Sequence, residues 1–168
     1  MTVHHTAVRL DRNADAPGQI RGHQAFHQQS GWADLAYHYM VDANGNIYEG
    51  RPFSAPGDTF TNYDPAGHFL VCCEGNFDQQ DLPEAQVASL AAMLAWGSDA
   101  FGISPDTIAG HRDYASTTCP GTTLAGIMEN GSLQAAVVAL LESGGVELTE
   151  ACGDEGAALV AAIEAGTA

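Results

Sequence analysis

The run HFLVCCEG, from His68 to Gly75, limits the fold more than any other stretch of this chain. Its apolar residues do not alternate with polar ones, so a strand here is buried on both faces and its sheet needs cover on both sides. Cys72 and Cys73 are adjacent within the run. Side chains on a strand alternate, so these two point to opposite faces and read as small core residues.

Weaker signals surround this strand. Thr2–His5 is short and β-like, and Tyr37–Val41 and Asn46–Glu49 flank Asn44-Gly45, a hairpin turn whose residues tolerate positive φ. Helical spacing runs through Gln19–Ser30, with Ile20, Phe26 and His27 expected inward. Val87, Leu90, Ala91 and Leu94 repeat at i, i+3, i+4, i+7 after Pro83. Leu133, Ala136, Val137, Leu140 and Leu141 do the same before Gly144-Gly145, which ends that helix. Arg51–Gly67, rich in Pro, Gly, Asp and Thr, is expected to be a long surface loop. Strands interspersed with helices predict an α/β domain with a central mixed sheet covered by helices. We expect one domain over residues 1–145 and an acidic, alanine-rich tail over 146–168 that fits one more helix. A chain of 168 residues buries about 70% of its unfolded surface, so the core needs no disulfides.

Charge narrows the partners. The basic residues are five arginines, at 9, 12, 21, 51 and 112, against 21 acidic residues, for a formal charge of -16. Such a surface repels nucleic acid and anionic membranes and excludes both as direct partners; solubility or adaptation to salt explains it. With no lysine in the chain, every lysine-based mechanism is excluded as well. No apolar run approaches the roughly 20 residues of a membrane span, and MTVHHTAVRL has no signal-peptide core. Export is therefore expected to need another route or a segment outside this chain.

The chemistry-bearing residues fall in three places: His4-His5 on the opening strand, then His111 and Cys119, both within GHRDYASTTCPG (Gly110–Gly121). Imidazole and thiolate are preferred zinc ligands, and a few ligands from distant elements with one position left to water is the catalytic arrangement. Spacing alone leaves ordinary core and surface roles open for each.

Four blocks, in this order, resemble the peptidoglycan-recognition-protein and phage-lysozyme (type 2) amidase family: VHHTA (Val3–Ala7), GWADLAYHYMVDANGNIYEGR (Gly31–Arg51), EGNF (Glu74–Phe77) and GHRDYASTTCPG. They cover most of residues 3–125, and the second and last are specific. The resemblance implies a central sheet with about three helices, a zinc site at one edge of the sheet, and a groove for a muramyl peptide. It implies hydrolysis of the amide between N-acetylmuramic acid and L-alanine, with His4, His111 and Cys119 as zinc ligands. Tyr37 is then the group that steadies the oxyanion or orients water, with Thr117 assisting. Family members that only bind peptidoglycan typically lack the cysteine. A non-catalytic recognition module is thus the first alternative, and an amidase for soluble recycled muropeptides, where Asp is the usual third ligand, the second.

Asp58 and Asn62 are expected substrate contacts, and Trp32 reads first as a core residue and second as the lining of a sugar subsite. Two departures touch them: Ala36 replaces the usual Gly before the tyrosine, and SAPGDTFTN lacks the family's His ahead of its Asn. The expected partner is peptidoglycan, engaged by a monomer at the cell wall after phage-lysin-type release or another form of export. By strand alternation His5 and His38 read as structural. His27 is expected to pack, His23 to face solvent, Glu74 to be a turn residue and His68 to be held by a hydrogen bond.

Overall fold

The computed structural model describes residues 1–167. In chain order the elements are β1 (Thr2–His5), α1 (Ala16–Gln29), β2 (Tyr39–Val41), β3 (Ile47–Glu49), β4 (Leu70–Cys73), α2 (Glu84–Phe101), β5 (Ala109–Gly110), α3 (Thr122–Glu129), α4 (Ser132–Glu142) and α5 (Gly153–Glu164). One five-stranded sheet runs in the order β3-β2-β4-β1-β5. β4 is parallel to both β1 and β2, β5 is parallel to β1, and β3 pairs antiparallel with β2. The sheet is mixed and the fold α/β, as expected.

The apolar run becomes the central strand, where both faces are covered. Val71 and Cys73 pack with Val3, Leu90, Leu94, Leu124 and Val137 beneath α2, α3 and α4. Cys72 faces the other way, into a smaller core with Ile20, Leu35 and Met40 beneath α1. Fully burying one such aliphatic side chain contributes about 1.5–3 kcal/mol. The same alternation runs along β1, where Val3 joins the larger core and His4 lies in register with Cys72.

The β2–β3 hairpin turns at Gly45, whose φ of +88° favours glycine. A Cβ there would lie 2.6 Å from Ser89 Oγ and 2.8 Å from the Ala85 carbonyl, because α2 presses against the turn. Asp42 braces it from inside: Oδ1 accepts from the Asn44 and Asn46 N–H groups and Oδ2 from the Tyr48 hydroxyl.

Several expectations change. Among the described residues the α-helices number five rather than about three. α3 has eight residues, too few to display a full apolar period, and α5 is formed by the tail. α5 packs on α1, burying Ile163 to 1% exposure and pairing Glu164 with Arg21. α1 begins at Ala16, with Pro17 in its first turn, where no N–H is required. Phe26, expected inward, is 56% exposed and leans toward Phe60 at 5.9 Å. Tyr37 precedes β2, although its carbonyl still accepts from the Arg51 N–H at 2.9 Å. The loop after Arg51 carries no helix or strand, and Arg51 pins it. The buried guanidinium holds the Asp58 carboxylate at 2.7 Å and the carbonyls of Pro56 and Asp34. Among the described residues, no single helix is long and apolar enough to cross a membrane.

Candidate metal centre

Two chain segments converge where β1 ends. β1 delivers His4, while β5 ends at Gly110 and runs directly into a 3-10 turn at His111–Asp113. The Gly110 N–H donates to Asp113 Oδ2 at 2.7 Å, and the Arg112 N–H donates to the Cys119 carbonyl at 3.0 Å. These bonds fold the loop back so that His111 and Cys119 face one point. Gly121 then lets the chain pass close beneath the site. Its φ is +89°, and a Cβ would lie 2.8 Å from both His5 Nδ1 and the Phe77 carbonyl carbon.

One ligand atom each from His4, His111 and Cys119 lies within 4.8 Å of the other two, and all three residues are buried. Cys119 Sγ is 3.7 Å from His4 Nδ1, and the two imidazole centroids are 4.7 Å apart. Tetrahedral zinc, with bonds of about 2.0–2.1 Å to nitrogen and 2.3 Å to sulfur, spaces N and S ligands about 3.5 Å apart. Among the described residues this is the one grouping of three such side chains.

Burial sets the protonation states. It lowers His4 well below the usual imidazole range, with His111 and His5 adding to the effect, and it lowers His111 as well. Both rings are therefore neutral near pH 7, with a lone pair free for a cation. Burial pushes the Cys119 thiol up to about 12, opposed by the His5 N–H that donates to Sγ at 3.4 Å and by Arg112. A coordinated divalent cation reverses that balance, because it deprotonates a ligating thiol outright. Two neutral imidazoles and one such thiol suit zinc.

The three groups line a cavity of about 240 Å³ together with Trp32, Tyr37, Asp58, Thr59, Phe60, Thr61 and Thr117. A larger cavity of about 480 Å³, between Phe53, Phe69 and Phe101, contains none of the three. The Tyr37 ring centroid lies 5.0 Å from that of His4. Burial raises its phenol well above the usual value, with Cys72 and Cys119 adding to the effect, so the hydroxyl keeps its proton. Thr117 Oγ1 accepts the Cys119 N–H at 3.2 Å. Trp32 is half-buried and packs against Phe60 at 4.2 Å. Asp58 reaches the cavity with its carboxylate already held by Arg51. Asn62 is exposed and does not line the cavity.

The remaining histidines each have a hydrogen-bond partner within the fold, and His5 and His27 also line the cavity. His5 Nδ1 accepts the Phe77 N–H at 3.3 Å. His38 Nδ1 accepts the Leu70 N–H while Nε2 donates to the Ala55 carbonyl. His68 Nδ1 lies 2.7 Å from the Thr2 hydroxyl. His27 is buried, and its Nδ1 accepts the Ala36 N–H. His23 was expected in solvent, yet Nε2 lies 3.0 Å from Glu74 Oε1, and Glu74, expected as a turn residue, is fully buried. An inward carboxylate draws the imidazole in, since a buried charge needs a partner.

Sequence reasoning missed Thr59, Phe60, Thr61 and Tyr63. The loop has no helical period, but T-F-T-N-Y holds a short period-two signal. Thr59, Thr61 and Tyr63 are half-buried, whereas Phe60 and Asn62 are exposed. This alternation is what turns Asn62 away from the cavity.

Residues 1–122, a span that includes all three metal-competent side chains, match the family model described as N-acetylmuramoyl-L-alanine amidase. Peptidoglycan-recognition protein SC2 of Drosophila simulans is 34% identical over 128 residues, which are 73% of this chain and 67% of that protein. The solved structure of N-acetylmuramoyl-L-alanine amidase LysC from Clostridium intestinale URNW aligns with a TM-score of 0.63 at 26% identity, covering 78% of this chain and 83% of that one. Peptidoglycan recognition protein-LE, solved in complex with tracheal cytotoxin, aligns with a TM-score of 0.69 at 28% identity over 77% and 78% of the two chains. The family match runs through both metal-bearing segments and covers well over half of the sequence; the chain belongs to the N-acetylmuramoyl-L-alanine amidase family.

Proposed function

We propose that this chain is a zinc-dependent amidase that hydrolyses the amide between N-acetylmuramic acid and L-alanine in peptidoglycan. The observation that carries the reading is the buried His4, His111 and Cys119 set gathered on one cavity wall. A module that only binds a muramyl peptide has no need of a metal-competent cysteine there. All three groups come from one chain, so a monomer suffices.

Zinc, when bound, supplies Lewis-acid polarisation of the scissile carbonyl and lowers the pKa of water from 15.7 toward about 7. The chain's own residues do the rest. Tyr37 keeps its proton through the neutral range and presents it from within the buried wall. That proton is available to an oxyanion forming in the cavity. Thr117 holds the Cys119 backbone in place and offers its own hydroxyl to the cavity. Trp32 and Phe60 form an aromatic lip suited to the apolar face of a sugar ring. Hydrolysis breaks the C–N bond, leaving a carboxylate on the lactyl group and a free α-amine on alanine.

The test is mass spectrometry of a purified muramyl peptide after incubation with the zinc-loaded and the chelated chain. The reading expects cleavage into glycan and peptide, with one water added, in the loaded sample alone. Binding without cleavage by a zinc-loaded chain would make it a recognition module instead.

A further inference from the structure

We infer that Thr61 and Tyr63 are positioning residues for the metal centre, each hydrogen-bonded to Nε2 of one of its two imidazoles. This rests on the zinc reading and adds the residues that orient its ligands. Thr61 Oγ1 lies 2.9 Å from His111 Nε2, and Tyr63 Oη lies 3.4 Å from His4 Nε2. His4 Nδ1 is the atom that faces Cys119 Sγ. In a neutral imidazole one nitrogen carries the proton and the other the lone pair, and the hydrogen bond made by the first decides which is free for a metal. In the arrangement we infer, each imidazole donates from Nε2 to its hydroxyl and keeps Nδ1 as the ligand atom, which for His4 is the atom already facing Cys119.

Thr61 stands in a short chain of hydroxyls. Its backbone N–H donates to Thr59 Oγ1 at 3.1 Å, and the two threonine hydroxyls are 2.8 Å apart. With His111 as donor, Thr61 accepts at Oγ1 and has Thr59 Oγ1 within reach for its own proton. Tyr63 is held by its ring, stacked on Tyr114 at 5.5 Å and set edge-on to His68 at 5.6 Å. Thr59, Thr61 and Tyr63 share one side of an extended loop by the period of two, so one segment serves both imidazoles. Partners of this kind orient a ligand ring, and losing one typically weakens metal affinity about 10- to 100-fold.

The test measures zinc affinity at fixed pH by competition with a chromophoric chelator, with circular dichroism to follow folding. Thr61→Val keeps the shape and removes the acceptor, and Thr61→Ser restores it. We expect Thr61→Val to bind zinc about 10- to 100-fold more weakly and Thr61→Ser to bind near the wild-type value. Tyr63→Phe should show a smaller loss, in keeping with its longer contact. Wild-type affinity in Thr61→Val, or an equal loss in Val and Ser, overturns the inference while leaving the zinc reading intact. A folded wild-type chain that takes up no zinc overturns both.

Discussion

Replacing Tyr37 with Phe removes one hydroxyl and leaves the ring that packs 5.0 Å from His4. The half-buried ring packs against the smaller core, and the substitution keeps that packing. A neutral hydrogen bond contributes about 0.5–1.5 kcal/mol net, which bounds what loss of the hydroxyl removes. Stability should change by at most about 1.5 kcal/mol, and zinc content should be unchanged. The rate should behave differently. Losing one donor aimed at a developing oxyanion costs about 2.7–4 kcal/mol, or roughly 10²- to 10³-fold in catalytic rate. The assay is turnover of a defined muramyl peptide by the purified variant, with metal content and thermal unfolding measured on the same sample. Turnover within a few-fold of wild type, with zinc bound, refutes the oxyanion role and leaves Thr117 and the metal to suffice. Loss of zinc would instead show that the phenol holds His4.

Cys119→Ser should abolish turnover and leave a folded domain, because none of the three ligand side chains belongs to either core; circular dichroism checks the fold, and an unfolded variant would make the metal structural. In the metal-free protein His5 is held neutral by burial, its pKa lowered to about 4. The unfolded chain binds that proton near pH 6.5, so this contribution to stability is complete above that pH and shrinks by at most roughly 3 kcal/mol on the way down to 4. An NMR titration of the His5 ring with a midpoint near 6.5 would contradict it. The charge of -16 repels an anionic wall. The screening length falls from about 30 Å at 0.01 M salt to about 8 Å at 0.15 M, so whole-wall digestion should rise with salt more than cleavage of an uncharged muropeptide does. Wall digestion that falls steadily across a salt series would point to an attractive basic patch.

How far the sequence was legible varied with the length and regularity of each segment. The unbroken apolar run placed β4 at the sheet's centre, and alternation alone sent Cys72 and Cys73 into separate cores. The motif match brought His4, His111 and Cys119 to one point, which no local period could have done, since 107 residues separate His4 from His111. Tertiary pairing was the hidden part. His23 and Glu74 meet only because α1 lies over the end of β4, and neither residue's neighbours in sequence announce the other. Phe26 sits at a helical position that reads as inward, but the loop carrying Phe60 offers it a partner at the surface. Loop 51–67 was correctly expected to lack regular structure, yet its buried Arg51 staple and its hydroxyls facing the imidazoles depend on contacts made across the fold.

X-ray absorption at the zinc edge, on protein loaded with one equivalent of metal, tests the central claim most directly. The account predicts one tightly bound zinc with two imidazole nitrogens at about 2.0–2.1 Å, one sulfur at about 2.3 Å and one further light atom from solvent. The sulfur contribution should vanish in Cys119→Ser. A spectrum without sulfur in the wild-type protein, or one unchanged by Cys119→Ser, would contradict the account.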